Sequence, residues 1–492
     1  MTKSWGANLF ILVYIVAASA FSLYYGMEQF GGYDLSPVID LQSRLARGEI
    51  PGIDFLNTIP LTMVLILKIY GALFAASWAS LMWYNIIFSA LCAFIVVIYW
   101  PAAFADGKKI VTIILMYLPM LVTNHIWHST ISQLLAIEYI ILSLHFFMSH
   151  DIRLKYIRNI MLALCAGFFF YSKQNIGLPL IGVICAAVLC LALLTNEAKR
   201  PILEFVAWNI AGVFAASMIL IIVLHVDFPA LIHIFTAVLS RAKISQEQYK
   251  AMTFDLFLTG SMGGFFLLSI CTFPWKNYLG RAELAIICSS LVLSILPLVT
   301  DWDTKFNDAP LFLFSLVLLT NAKSSFTRNA ILVLAALPLG AAAREGVIRR
   351  RMHDVGPGNF WEAEPLTRVE DGYFSGLLAG PRFHEVRREI RTTLKDWGQD
   401  SRVFCGPRIE FCYMDNAIQS PRELPLWWHP GSSYPLYAEG DVIENFKANK
   451  FTLLIFLHGD RTRMPRPILD YIAKTYTRAE GYDLMDVYRL RQ

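Results

Sequence analysis

Apolar stretches long enough to cross a lipid bilayer recur along the first 343 residues, and this recurrence restricts the chain to folds built in a membrane. A crossing helix needs about 20 mostly apolar residues. Eleven segments qualify, centred on 9–27, 79–99, 110–123, 130–148, 159–171, 176–194, 202–224, 253–272, 282–299, 309–320 and 329–343. The segments Pro310–Thr320 and Asn329–Ala343 are short enough to be half-crossings or broken helices. With 56% hydrophobic and 16% charged residues among 492, a purely soluble enzyme is excluded. The charge concentrates at the end: residues 345–492 hold 21 of the 42 Lys+Arg and 21 of the 38 Asp+Glu. The expected architecture is a polytopic α-helical membrane region over 1–343, then a water-soluble region over 344–492. A net charge of +4 carries no electrostatic footprint for nucleic acid.

Basic residues collect in alternate connections, as the positive-inside rule expects. Lys3, Lys108 and Lys109, Arg153, Lys155 and Arg158, Lys199 and Arg200, Lys276 and Arg281, and Lys323 and Arg328 form the cytoplasmic set. The opposite connections are acidic or mixed and read as outside. Arg344, Arg349, Arg350 and Arg351 go against this pattern, because parity leaves the chain outside after the last segment. Either they meet anionic lipid or substrate phosphate, or the last segment does not cross. The first segment is either an uncleaved helix or a signal peptide ending near Ala18-Ser19-Ala20, and its length favours the helix.

The soluble region alternates in type, which predicts an α/β domain. Helices are expected at 383–397, 441–450 and 467–476, and strands at 402–405, 451–457 and 484–490. Trp427-Trp428-His429, inside a Pro-, Trp- and Tyr-rich stretch, is either a platform for sugar faces or the membrane interface, or a packed irregular loop. Six cysteines lie in apolar stretches and read as small hydrophobes. Cys405 and Cys412 either pair in an oxidising compartment or remain free thiols.

The first outside loop, 28–60, is the most informative stretch. It is polar and carries Asp34, Asp40, Glu49 and Asp54, and a carboxylate at a membrane surface can take a proton from a hydroxyl nucleophile. Its order of residues, Tyr33-Asp34 just after the first helix, then Gly48, Pro51, Asp54-Phe55 and Pro60, resembles the first periplasmic loop of the GT-C superfamily of polyprenyl-phosphate-dependent membrane glycosyltransferases. Ser172-Lys173-Gln174-Asn175-Ile176-Gly177 looks like the Lys-Gln segment between two middle helices of many members. In layout the chain is similar to lipid A aminoarabinose transferases and protein O-mannosyltransferases.

The resemblance implies a hexosyl- or pentosyltransferase of a bacterial inner membrane, with the C-terminal domain periplasmic. A sugar on polyprenyl phosphate would pass to an envelope acceptor: lipopolysaccharide, another glycan or a protein. Asp34 would be the general base or acceptor-positioning carboxylate, with Tyr33 beside it and Asp54 shaping the same loop. The leaving phosphate needs a cation, because preorganised positive charge acts strongly in a water-poor site. Lys173 fits this need, since an isolated Lys between apolar helices is costly unless it is partnered or interfacial; a snorkelling Lys is the bland alternative. Gln174 stands next to it. Arg241 and Lys243, in the connection His225–Thr253, are secondary cations. A divalent cation is a possible cofactor, with Asp301 and Asp303, joined by Asp308, as its oxygen ligands. His125 and His128 flank Trp127 as weaker candidates. The competing readings are a flippase or transporter of lipid-linked sugars and an O-antigen-type ligase or polymerase. The missing helix-group repeat and the large outer domain count against a transporter.

Overall fold

The computed structural model describes residues 4–31, 35–57, 59–122, 128–149, 155–173, 176–194, 199–240, 281–300, 305–319, 360, 365–397, 402–428, 434–460 and 464–491. The membrane part comprises helices α1 (Ser4–Gly26), α2 (Leu35–Ala46), α3 (Leu61–Leu73), α4 (Trp78–Ile98), α5 (Asp106–Val122), α6 (His128–Met148), α7 (Lys155–Phe170), α8 (Gly177–Leu194), α9 (Lys199–Leu224), α10 (Phe228–Ser240), α11 (Arg281–Thr300) and α12 (Lys305–Leu319). Among the described residues, five helices are long and apolar enough to cross a bilayer: Trp5–Gly26, Trp78–Ile98, Ser129–Met148, Gly177–Leu194 and Lys199–Leu224. The segments expected at 253–272 and 329–343 lie outside the described residues. Two apolar helices were not among the expected segments. α3 has only 13 residues and cannot span a bilayer, and α10 occupies the start of a connection read as a loop.

α6 is the centre of the bundle, with 83% of its apolar stretch buried, whereas the corresponding share of α1 and α9 is 22% among the described residues. α7 and α9 meet backbone to backbone. A Cβ on Gly212 would stand 1.9 Å from the Ala163 carbonyl oxygen, and one on Gly167 2.2 Å from that of Gly212. Ala163, Gly167, Gly212 and Ala216 thus form two facing small-residue pairs at four-residue spacing, the pattern that brings helices close where lipid removes the hydrophobic drive.

The C-terminal part contains β1 (Thr367–Arg368), β2 (Leu378–Ala379), α13 (Pro381–Trp397), β3 (Val403–Cys405), α14 (Phe411–Asp415), α15 (Glu439–Ala448), β4 (Leu453–Leu457), α16 (Arg466–Thr475), β5 (Tyr476–Arg478) and β6 (Met485–Leu490). Its four-stranded sheet runs β3-β4-β6-β5, with β3 parallel to β4 and the other pairs antiparallel. The continuous apolar run of β4 follows from burial on both faces. Leu453, Ile455 and Leu457 join one core, while Leu454 faces a second with Phe404, Trp428, Phe446, Ile468 and Ile472. Trp428 is 2% exposed, edge-on to Phe404 at 5.4 Å. The sugar or membrane platform is therefore corrected for Trp428, which packs in the core. Cys405 and Cys412 form a disulfide with Cα atoms 6.4 Å apart.

The first loop is stitched to this C-terminal part. Gln29 N–H donates to the Leu378 carbonyl at 2.7 Å and Leu378 N–H to that of Met27 at 2.8 Å. Further along, Glu423 N–H donates to the Asp54 carbonyl at 2.7 Å and Leu426 N–H to that of Leu56 at 3.1 Å. Between these seams Phe30 sits among Trp78, Phe360, Phe374, Phe383 and Phe411, with ring centroids 5.1–5.7 Å away.

Candidate active site

Helix α2 opens with Ser36-Pro37, a sequence suited to a helix start because proline there forfeits no intrahelical bond. Leu35–Leu45 is buried on every side, its polar residues included. Arg44 explains how. Its guanidinium is 2% exposed and donates to Asp40 Oδ2 at 2.8 Å, Glu49 Oε2 at 3.0 Å and the Pro421 carbonyl at 2.9 Å. It also lies over the Phe55 ring, 5.0 Å from the centroid. Burial works to lower the Arg44 pKa, but Asp40 and Glu49 more than offset it and hold the cation above its usual value. Arg47 donates to Glu49 Oε1 at 2.9 Å and to Ser420 Oγ at 3.1 Å, and Ser420 donates to Asp40. Two of the loop's four carboxylates, Asp40 and Glu49, are thus committed to joining α2 to the C-terminal part.

Asp54 closes the turn that follows: its Oδ2 accepts from Ile50 N–H at 2.7 Å. Gly52 in this turn has φ +78°, and a Cβ there would lie 2.6 Å from Ile234 of α10. Only glycine meets both demands. The turn therefore rests directly on α10, whose Phe235 stacks on Phe170 at 5.3 Å and meets Tyr171 edge-on at 5.9 Å.

These contacts lead to Lys173. It is 7% exposed, just beyond the end of α7, and its Nζ donates to Ser129 Oγ at 2.8 Å. Ser129, Thr130, Ser132 and Gln133, at the start of α6, are all buried, and Gln133 Oε1 accepts from Leu311 N–H at 2.8 Å. Thr62, in the first turn of α3, donates its hydroxyl to the Phe168 carbonyl at 2.6 Å and its N–H to that of Tyr171 at 3.3 Å. The end of the first loop, the Lys173 turn, the polar start of α6 and α10 thus meet at one end of the bundle. A buried ammonium beside hydroxyl and amide groups can receive an anion at little reorganisation cost.

Of the residues singled out by sequence, the structure brings Asp54 and Lys173 to this end. Tyr33, Asp34, Gln174, Arg241, Lys243, Asp301, Asp303 and His125 lie outside the described residues, as do the side chains of His128 and Asp308. Among the described residues no group of three or more His, Cys, Asp or Glu side chains is placed to hold a metal ion. Sequence reading missed Arg44, Ser129 and Gln133. Of these, only Arg44 carried a signal: it stands four residues after Asp40 on one helix, the spacing of a helical ion pair.

No family model matches the chain, and no curated protein matches it. Solved structures do. The crystal structure of ArnT from Cupriavidus metallidurans bound to undecaprenyl phosphate matches with a TM-score of 0.57 at 10% identity, covering 99% of this chain and 98% of that one. The apo structure of the same protein matches with a TM-score of 0.51 at 9% identity, covering 98% of each chain. The chain thus shares the fold of ArnT over nearly the full length of both proteins, the membrane architecture expected from the sequence.

Proposed function

We propose that the chain transfers a sugar from a polyprenyl-phosphate-linked donor to an acceptor of the cell envelope, at the outer face of a bacterial inner membrane. The observation that carries this reading is the end-to-end fold likeness to ArnT, a protein seen with undecaprenyl phosphate bound. The buried Lys173, held against the polar start of α6 beside the first loop, adds to it. The disulfide Cys405–Cys412 supports an oxidising, extracytoplasmic compartment for the outer domain.

In this reading an acceptor oxygen attacks the anomeric carbon, the bond from that carbon to the phosphate oxygen breaks, and polyprenyl phosphate leaves. Asp34 takes the acceptor proton, and Tyr33 helps orient the acceptor. Lys173 neutralises the phosphate, with Gln174, Arg241 and Lys243 completing its surroundings and Asp54 fixing the shape of the loop. Where a divalent cation takes part, Asp301 and Asp303 are its proposed ligands. The sugar is a hexose or pentose, and lipopolysaccharide is one acceptor class. Binding of undecaprenyl phosphate to the purified protein in nanodiscs tests the donor assignment. Lys173→Met should weaken binding at least tenfold, the scale of a lost charge-assisted hydrogen bond of about 1.5–3 kcal/mol. Unchanged affinity at normal protein yield would remove Lys173 from the site.

A further inference from the structure

Of the buried acids of the outer domain that the mechanism above leaves unused, Glu410 differs from Glu389 and Asp415, which accept hydrogen bonds. Glu410 is 3% exposed, and neither of its carboxyl oxygens accepts a hydrogen bond of ordinary geometry among the described residues. It belongs to the eight-residue loop closed by the disulfide Cys405–Cys412. That loop is fixed at its base: Gly406 N–H donates to the Ile455 carbonyl at 2.7 Å, and the Tyr413 hydroxyl accepts from Cys405 N–H at 2.8 Å. Arg408 pairs with Asp460 at 3.4 Å. Beside the closing Cys412, Phe411 N–H donates to Ser36 Oγ of α2 at 3.0 Å. Ser36 stands two residues after Asp34, so the disulfide-closed loop grips α2 at the point where the proposed base enters it.

We infer that Glu410 is a positioning residue that holds the start of α2 in place only while its carboxyl is protonated, so that its ionisation sets the alkaline limit of sugar transfer. This rests on the reading of Asp34 as the acceptor-side carboxylate. Ser36 and Asp40 face Glu410 from α2, the Arg408 backbone faces it from its own loop, and Tyr413 from just beyond that loop. Arg44 is already engaged by Asp40, Glu49 and the Pro421 carbonyl, and Arg408 by Asp460. An ionised Glu410 would therefore face the Asp40 carboxylate across a dry seam. Burial, with a smaller contribution from Asp40, pushes the carboxyl up to about 8; the Ser36 hydroxyl and the backbone act in the other direction. The docked state thus binds one more proton than the undocked state between the ordinary carboxyl range and pH 8. Docking is strongest at low pH, weakens as pH rises through that window and levels off above it.

Two measurements on the full-length protein test this. In the first, turnover of native protein falls as pH rises towards about 8, by up to about tenfold per pH unit, and levels off above it, with KM for the donor little changed. Glu410→Gln, which copies the protonated form, keeps neutral-pH turnover and loses this alkaline limb. The second measurement does not depend on sugar transfer: hydrogen exchange of residues 35–46, corrected for intrinsic rates, loses protection up to about pH 8 in native protein and stays flat in Glu410→Gln. This also separates a failure of the inference from a failure of the proposed activity. If Glu410→Gln folds poorly, Ser36→Ala serves instead; it removes the group that favours ionisation and should move the midpoint of both profiles to higher pH. An alkaline limb retained in Glu410→Gln, α2 protection independent of pH in native protein, or a midpoint unmoved in Ser36→Ala would each overturn the inference.

Discussion

Replacing Arg44 by Met tests whether the first loop is held by the C-terminal part. The side chain keeps most of its apolar volume but loses the cation between two buried carboxylates, Asp40 and Glu49. Removing one partner of a buried ion pair costs about 3–5 kcal/mol, because the remaining charge stays desolvated. Here each carboxylate keeps a second partner, Ser420 for Asp40 and Arg47 for Glu49, so the lower end, about 3 kcal/mol, is expected. Since about 1.4 kcal/mol corresponds to a factor of ten, protection of the α2 amides against hydrogen exchange should fall about a hundredfold. The loss should be local, with the amides of α6 and α9 unaffected. Arg44→Lys should not restore protection, because an ammonium cannot reproduce a fork that reaches Asp40, Glu49 and the Pro421 carbonyl together. Adding Asp40→Asn to Arg44→Met should recover part of the loss by removing one stranded charge. Mass-spectrometric hydrogen exchange on the detergent-solubilised protein gives these values peptide by peptide. A fall of less than tenfold in α2 would refute the view that this network fastens the loop.

Two further outcomes follow from the packing. Gly212→Val should drive α7 and α9 apart, since even a Cβ would stand 1.9 Å from the Ala163 carbonyl; thermal unfolding in detergent should begin several degrees lower, and an unchanged midpoint would contradict the close helix contact. Joint replacement of Cys405 and Cys412 by Ser should cost about 2.5 kcal/mol by the loop-entropy relation and increase protease cleavage around 405–412, whereas thiol alkylation of both cysteines in the unreduced native protein would contradict the bridge.

Much of the membrane part is legible because long apolar runs have few other fates. The runs at 79–99, 130–148, 176–194 and 202–224 correspond to α4, α6, α8 and α9 within a few residues. α3 and α10 escaped for a physical reason. Each has 13 residues and adjoins a connection read as a loop, and tertiary contacts remote in sequence hold them: the Phe168 carbonyl on Thr62 and the Gly52 turn on Ile234. The strand at 453–457 was visible as a short apolar run of the length that strands adopt. The inward placement of Trp428 was not, because it depends on Phe404 and Phe446, which are remote in sequence. At the candidate site Lys173 stood out as a charge between apolar helices. Its partner Ser129 lies 44 residues away and carried no signal of its own. The grip of the C-terminal part on α2 joins Ser36 to Phe411 and Arg44 to Pro421, separations of 375 and 377 residues, and no local pattern reports such pairs.

The central claim is that this protein moves a sugar from polyprenyl phosphate to the cell envelope. It is tested most directly by mass spectrometry of surface glycolipids and glycoproteins from cells lacking the protein, complemented with either the native chain or the Asp34→Ala variant. The account predicts a single-sugar mass increment restored by the native chain and absent with Asp34→Ala at equal protein levels. Restoration by both, or whole glycans that vanish together without any single-sugar difference, would contradict it and point to a flippase or a polymer ligase.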